Sequence, residues 1–528
     1  MVAKVEEVRS QQESKTIMSL LAIDIGSSRC KAVVFAVTGE ILAQHAGAYT
    51  PEFPAPSHAE LNPERFWQAV CHCSQAVSKN LSDPVRAVCL SSHGETFVPV
   101  NRRNEAIAPA ILNQDNRATD ETVWLEGRFG KKRLFEITGL VAHPMYPVPK
   151  ILWLRKHRPD IFASPVRFLS VIGYVLSRFG LPAYIDYSLA SRYLAFDIRR
   201  RRWSDEILAA TEINAECLPV PVPAGTIAGT LEGAAAGQLG VSPGTKVVMG
   251  GHDQPCGALG VGAIGSGRVA DSMGTYECLL AASDQPSLTA AALAASLNSY
   301  CHVIPDKFVT LAYFPSGIMI KWFHDLLYGD EWEETHSAVL AEDGDRSGTE
   351  SIHYATLERE APAGPTGLCI TPNLIGTCNP DFNPHARGII SGLSPNTTRS
   401  QIYKGILEGL ACELSEMTNI LASAVGEFRD VYVTGGGSRS ALGLQLRAAL
   451  SGRQLHVMES PEAVCLGGAM LAGVAAGEYG SLREAAELVV RDVSVVSPDA
   501  AMAAAYAQQA NQYRHLRSAL TGINARGQ

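Results

Sequence analysis

The stretch LLAIDIGSSRCKAVVF occupies residues 20–35. It runs apolar, then Asp24, then Gly26-Ser27-Ser28, then Arg29 and Lys31, then apolar again. A hairpin with a polar turn accounts for it, because turns favour these residue types. A phosphate loop beside a metal-facing acid accounts for it as well. The remainder of the chain has to separate the two.

Residues 20–49 read as strand, loop, strand, turn at Thr38-Gly39-Glu40, strand, so three antiparallel strands open the fold. Residues 62–80 carry helical periodicity, with Pro63 at a favourable first-turn position. A short buried strand over 85–90 leads into Ser91-Ser92-His93-Gly94-Glu95-Thr96. Strands then alternate with helices to about residue 250, the pattern of an α/β layer architecture.

Near 220–250 the composition shifts to Pro, Gly and Ala, and VVMGGHDQPCGALGVGAIGSG follows. It reads as a strand, a glycine pair, Asp253, and a small-residue helix or turn. The spacing places a domain boundary there, with one domain over 19–255 and a second over 256–490. The second opens on RVADSMGTYECLLAAS, in which Asp271-Ser272-Met273-Gly274-Thr275 weakly echoes Asp24-Ile25-Gly26-Ser27. A long helix is expected over 398–424, a strand over 430–433, the loop Thr434-Gly435-Gly436-Gly437-Ser438-Arg439-Ser440, and a helix. CLGGAMLAGVAAGEYG reads as a small-residue helix able to approach another backbone closely. Residues 1–18 read as a mobile polar tail and 491–528 as a helical extension.

At 528 residues the chain exceeds one hydrophobic core. A net charge of −9 argues against a nucleic-acid partner. Arg199-Arg200-Arg201-Arg202 is too short a run to reverse this and reads as a solvated turn. No secretory signal and no bilayer-length apolar run is visible, so no membrane partner is expected. The twelve cysteines are scattered, and Cys71-His72-Cys73 has the spacing of neither a zinc site nor a redox pair. Buried thiols in a reducing cytoplasm are expected.

Glycine/hydroxyl loops follow strands at 26–28, 272–275 and 434–440. Glycine admits a ligand close to the backbone, whose N–H groups then bind anionic oxygens. Three such loops with flanking acids favour a polyphosphate nucleotide. No Walker loop is present, and no GxGxxG opens a βαβ unit. Asp253, past a strand and two glycines, suits a general base facing a ligand, or a cap for the next turn. Asp24 suits magnesium, which takes one or two carboxylates and keeps several waters. His93 and Glu95 suit a polyol, or a structural loop. Asn113-Gln114-Asp115-Asn116-Arg117 suits a hydroxyl-rich ligand or a solvated loop.

Taken in order, IDIGSSRCKAVVF, SSHGETFVPV, LNQDNRATDE, MYPVPKILWLRKH, MGGHDQPCGALGVGA, DSMGTYECLL, GIISGLSPNTTRSQIYKGILEGLA, VYVTGGGSRSALGLQ and EAVCLGGAMLAGVAAGEY resemble the FGGY family of carbohydrate kinases. The resemblance covers about residues 20–490. It implies two ribonuclease-H-like domains of the actin and Hsp70 type flanking a catalytic cleft, sugar on the N-terminal side and ATP mainly on the C-terminal side. Asp253 matches the catalytic base, with Gln254 beside it. Gly26, Ser27, Ser28 and Lys31 match the first phosphate motif, with Asp24 for Mg2+. Gly274 and Thr275 match the second, and Gly435, Gly436, Gly437 and Ser440 the adenosine motif. His93, Glu95, Asp115 and Arg117 fall on the sugar side. The sequence departs from the family pattern at Ser92, Asn113, Gly443 and Ala449, where methionine, tryptophan, tryptophan and aspartate are common.

The resemblance therefore implies ATP-dependent phosphorylation of a small sugar or polyol. A ketopentose is the first expectation, and glycerol, a tetritol or a tetrulose the second. A homodimer is plausible on the same ground. A non-catalytic nucleotide-binding protein or sugar sensor would need a peptide-binding or helix-turn-helix module, and neither is visible in the sequence.

Overall fold

The computed structural model describes residues 18–337 and 347–524, apart from residues 80 and 82. The expected tail, but for Met18, lies outside the described residues. Contacts divide the chain into two units. Unit 1 holds the chain up to Ile264, with Tyr300–Phe308 and Glu462–Val490. Unit 2 holds Gly265–Ser299, Val309–Pro461 and the chain from Arg491. By this division the chain first changes unit at 264/265, where the sequence places a domain boundary at 255/256. The division also differs over 462–490, expected with the second domain and packed here with the first.

Unit 1 is built on a six-stranded sheet in the order Ile227–Leu231, Thr245–His252, Val85–Ser92, Ser19–Ile25, Arg29–Ala36, Ile41–Ala48. The three antiparallel opening strands appear where the sequence places them. Val85–Ser92 lies parallel to both Ser19–Ile25 and Thr245–His252. These central strands are near-continuous apolar runs, as expected of strands buried on both faces. The helix Pro63–Ser78 starts on an Asn62 cap and buries Phe66, Trp67, Val70, Cys73 and Val77, one face at helical spacing.

Unit 2 repeats this plan. Arg268–Met273 pairs antiparallel with Tyr276–Ser283 and parallel with Asp430–Thr434. Asp430–Thr434 is parallel to Gln454–Met458, which pairs antiparallel with Asp492–Val496. The weak echo between residues 24–27 and 271–275 is therefore a repeat of architecture. The two acids are not equivalent within it. Asp24 stands two residues before its glycine and Asp271 three before Gly274, and strand side chains alternate faces. Asp271 is fully buried and neither carboxylate oxygen has a hydrogen-bond partner.

The long helix forms as Arg399–Val425, one residue later than expected at each end, with a reciprocal Thr398/Gln401 capping box. The C-terminal extension belongs to unit 2. Its strand Asp492–Val496 edges the sheet, and its helix Ala500–Asn524 bonds the long helix through Tyr506 to Glu408 and Tyr513 to Glu413. In the same unit, Arg447 donates to Glu277 through Nε at 3.1 Å and Nη2 at 2.9 Å, both side chains fully buried.

The small-residue helix forms as Ala463–Ala476 and packs on the core of unit 1 beside Leu20, Ala22, Ala87 and Cys89. Its partner is the helix Asp253–Gly260. A Cβ at Gly467 would lie 2.0 Å from Cys256 O, and one at Gly260 would lie 1.9 Å from Ala463 O. The two helix backbones meet there with no room for a side chain. Gly467→Ala should therefore lower stability by about 1–3 kcal/mol or more, as overpacking does. Gly237→Ala, in a helix where a Cβ meets nothing within 4 Å, should leave the protein unchanged or slightly stabilised. Chemical denaturation of the two variants compares them directly.

Candidate active site

The parallel pairing in unit 1 fixes where its polar loops fall. Asp24 is in register with Ser91, and Ser92 with both Ile25 and His252. The carboxyl ends of three neighbouring strands therefore share one edge, the usual ligand edge of such sheets. Asp24, the His93-Gly94-Glu95 loop and Asp253 all stand on it.

Asp24 is half-buried and accepts from Ser91 Oγ at 3.0 Å. Desolvation, and secondarily Glu462, push its carboxyl up to about 6, against the opposing pull of Ser91 and Lys31. Lys31 is engaged within the unit, donating to Glu462 Oε1 at 2.8 Å and Oε2 at 2.6 Å. Glu462 was not among the expected site residues, because it follows Lys31 by more than four hundred positions in the chain. The loop Gly26-Ser27-Ser28 is braced from Tyr49, whose hydroxyl donates to Gly26 O and to Arg29 O. Ser27 is half-buried and Ser28 exposed.

Asp253 opens the helix Asp253–Gly260, and its Oδ1 accepts from Gln254 N–H at 2.6 Å. Its carboxyl is raised well above the usual carboxylate range, first by burial and then by Asp24 and Glu95. His252 Nε2 lies 3.1 Å from Asp253 Oδ1, and His252 Nδ1 lies 3.3 Å from the Tyr300 hydroxyl. Burial pushes His252 down to about 3, so the ring is neutral. Gly251, at a φ of 156°, is required here, because a Cβ would lie 2.7 Å from Asp186 Oδ2 and from Ser188 Oγ. Gln254 is half-buried in the first turn.

Several expected ligand-binding residues are engaged in the fold. His93 Nδ1 donates to Ile25 O at 2.8 Å, and its Nε2 lies 2.8 Å from Thr96 Oγ1. Burial lowers its pKa, and both ring nitrogens are engaged within the unit. Asp115 is fully buried, accepting from Ala59 N–H and from Arg117 Nε and Nη2. Arg117 also donates to Glu60 at 2.7 Å and lies 4.9 Å above the Trp153 ring. This pair clamps its loop; it is not a solvated turn. Glu95 is buried at φ 59° and paired with Arg192 Nε. Burial opposes its charge, but Arg192, with His252 and Lys150, holds its carboxyl below the usual range. Arg192, Tyr300 and Glu462 were missed as site residues, since only the folded chain brings Arg192 beside Glu95, Tyr300 beside His252 and Glu462 beside Lys31; His252, next to Asp253 in the sequence, was passed over.

In unit 2, two of the glycine loops meet. Ser272 and Thr434 are in register at the ends of parallel strands. Gly435 has φ 94°, and a Cβ there would lie 2.8 Å from Met273 O. Gly437 passes the Met273 side chain, where a Cβ on it would lie 3.0 Å from Met273 Cβ. Gly274 and Thr275 are exposed beside this crossing, and Gly436 is exposed within it. The turn at 274–275 is held from behind, where Gly317 N–H donates to Gly274 O at 3.0 Å. Ser440 is spent, capping the helix Ala441–Ser451 and donating to Glu358 at 2.7 Å. Gly443 has a local cause: a Cβ there would lie 2.8 Å from Ser440 Oγ and 3.2 Å from Arg447 Nη1. Nothing in the structure explains Ala449.

No group of three or more metal-ligating side chains occurs among the described residues. No helix among the described residues is long and apolar enough to cross a membrane.

Comparison with known proteins gives these edges a context. Residues 19–260 match the N-terminal domain of the FGGY family of carbohydrate kinases, and residues 269–476 its C-terminal domain. A xylulose kinase of Escherichia coli (strain K12) is 27% identical over 513 residues, covering 96% of this chain and 100% of that one. A gluconokinase of Bacillus subtilis (strain 168) is 26% identical over 475 residues, covering 89% and 90%. The crystal structure of a ligand-bound xylulose kinase from Lactobacillus acidophilus shares the fold at a TM-score of 0.85 and 22% identity, covering 97% and 100%. With both of its domains matched and the same repeated sheet plan in each unit, the chain belongs to the FGGY family of carbohydrate kinases.

Proposed function

We propose that the protein transfers the γ-phosphoryl group of ATP to a hydroxyl of a ketopentose, with Asp253 as general base. The observation that carries the assignment is the half-buried, helix-opening Asp253 at the shared strand edge, its carboxyl raised by desolvation and its Oδ1 3.1 Å from His252 Nε2. A carboxylate of raised pKa takes a proton from an alcohol more readily than an ordinary carboxylate does. The similarity to xylulose kinases supports the ketose. A short polyol or tetrulose is the second reading, because His93 has no nitrogen left for a sugar while Glu95 keeps the polar edge.

Asp253 accepts the hydroxyl proton as the sugar oxygen attacks phosphorus and the bond to the ADP oxygen breaks. The exposed loops at Gly274-Thr275 and Gly435-Gly436-Gly437 offer backbone N–H groups to phosphate and ribose oxygens. Ser27, Ser28 and Lys31 offer hydroxyls and a cation to the phosphates, Lys31 exchanging Glu462 for the nucleotide. Asp24 would hold Mg2+, which when bound neutralises phosphate charge. Ser440 and Gln254 shape the loops around these groups. The twelve thiols stand free, which supports a reducing, cytoplasmic setting.

Asp253→Asn should lower kcat by at least ~100-fold with little change in KM for ATP. Undiminished sugar-dependent ADP release from that variant would refute the base. The acid limb of kcat/KM should lie above the usual carboxylate value of about 4, because the base works only when deprotonated and burial raises its pKa. Activity therefore rises with pH through that limb, and a rate profile in constant ionic strength locates it. Chelation of divalent ions with EDTA should abolish turnover, and added Mg2+ should restore it; activity retained in EDTA would remove the role given to Asp24.

A further inference from the structure

Arg192 caps the C-terminus of the helix Tyr187–Ser191 and is only 3% exposed. Its guanidinium lies 5.2 Å from the Tyr146 ring centroid and 4.9 Å from that of Tyr300. Nε is committed to Glu95, while Nη1 is fully buried and has no acceptor. A buried donor without a partner costs free energy, and such exceptions concentrate where a ligand completes the shell. The surroundings place this donor near the proposed base. Tyr300 bonds His252, His252 Nε2 lies 3.1 Å from Asp253 Oδ1, and a Cβ on Gly94 would meet both the His252 ring at 3.1 Å and Arg192 Cγ at 3.3 Å. In the same shell Asn113 Oδ1 is buried without a donor, its backbone N–H bound to Thr96.

The charges of this shell are already matched. Glu95 neutralises Arg192, and Asp115 with Glu60 neutralises Arg117. Lys150 is fully buried beneath, its Nζ spent on Leu112 O at 2.6 Å and Glu95 O at 3.3 Å. Burial keeps His252 neutral and pushes His143 down to about 4. Asp24 and Asp253, on the same edge, bring no cation. A carboxylate on the acceptor would enter with no uncommitted cation among the described residues of the shell, and an unpaired buried charge is expensive. An uncharged oxygen needs only a donor, and Nη1 is one.

We propose that Arg192 is a specificity-determining residue that donates from Nη1 to a hydroxyl or carbonyl oxygen of an uncharged acceptor, so that the enzyme takes neutral ketoses or polyols and rejects aldonates. The proposal rests on Asp253 being the base of the same site. Selection comes from a geometry that supplies one directed donor while leaving no net positive charge.

ADP release by the full-length protein with MgATP tests this across D-xylulose, D-ribulose, erythritol, glycerol and D-gluconate. The best neutral acceptor should exceed gluconate in kcat/KM by at least about 100-fold, the scale of a charged hydrogen bond lost or an ion left unpaired. Arg192→Lys keeps the charge opposite Glu95 and loses the fork. It should raise KM for the neutral acceptor about 10-fold or more, with KM for ATP within about two-fold of the parent. The paired variant Glu95→Gln/Arg192→Gln guards against misfolding from a stranded charge and should show the same split, with thermal unfolding confirming a folded protein. Preference for gluconate would overturn the neutral class. An unchanged acceptor KM in folded Arg192→Lys would overturn the role of Arg192. Neither result touches the base, which stands or falls on Asp253→Asn, so the two failures are distinguishable.

Discussion

Parallel pairing of strands far apart in sequence is the constraint on which the site depends. In unit 1, Ser19–Ile25 and Thr245–His252 both lie parallel to Val85–Ser92. Chain direction then leaves the three carboxyl ends at one edge, and each continues into a polar loop. In unit 2 the parallel strands Arg268–Met273 and Asp430–Thr434 do the same for two glycine loops. A slip of one residue in either pairing would turn every strand side chain to the opposite face. Near-continuous apolar burial of the strands opposes such a slip, so the packing of the core holds the chemistry in place.

Burial also sets the electrostatics. Asp253 is raised, His252 is held neutral, and Glu95 stays charged because Arg192 faces it. Three groups within one small shell thus shift in different ways under a common cause, desolvation, with the outcome decided by each group's nearest partner. The glycines contribute by what they omit. Gly94 leaves space for His252 and Arg192, Gly251 for Asp186 and Ser188, and Gly435 for the Met273 backbone. Each permits a contact that any side chain would obstruct.

Residues that look like ligand contacts in sequence divide into two groups in the folded chain. Asp24, Asp253, Gly274, Thr275 and the 435–437 glycines keep groups available at the strand ends. His93, Asp115, Arg117 and Ser440 have spent theirs on Ile25 and Thr96, on Ala59, on Glu60, and on Glu358 and the helix cap. The second group shapes the loops on which the first group stands.

The sequence by itself determined the elements and the loops. Alternation and apolar runs mark the opening strands, Asn62-Pro63 and Thr398 with Gln401 mark helix starts, and glycine beside hydroxyl residues marks the phosphate loops, all of them short-range signals. The ordered motifs also carried the family. Only the tertiary structure decided that residues 462–490 return to unit 1, that Lys31 meets Glu462, that His93 is a brace, and that Arg192 lies near Asp253 with a nitrogen to spare. Those facts depend on contacts between segments separated by roughly sixty to more than four hundred residues, and on which hydrogen bonds the packed chain leaves unmade. No local pattern of residue types encodes either.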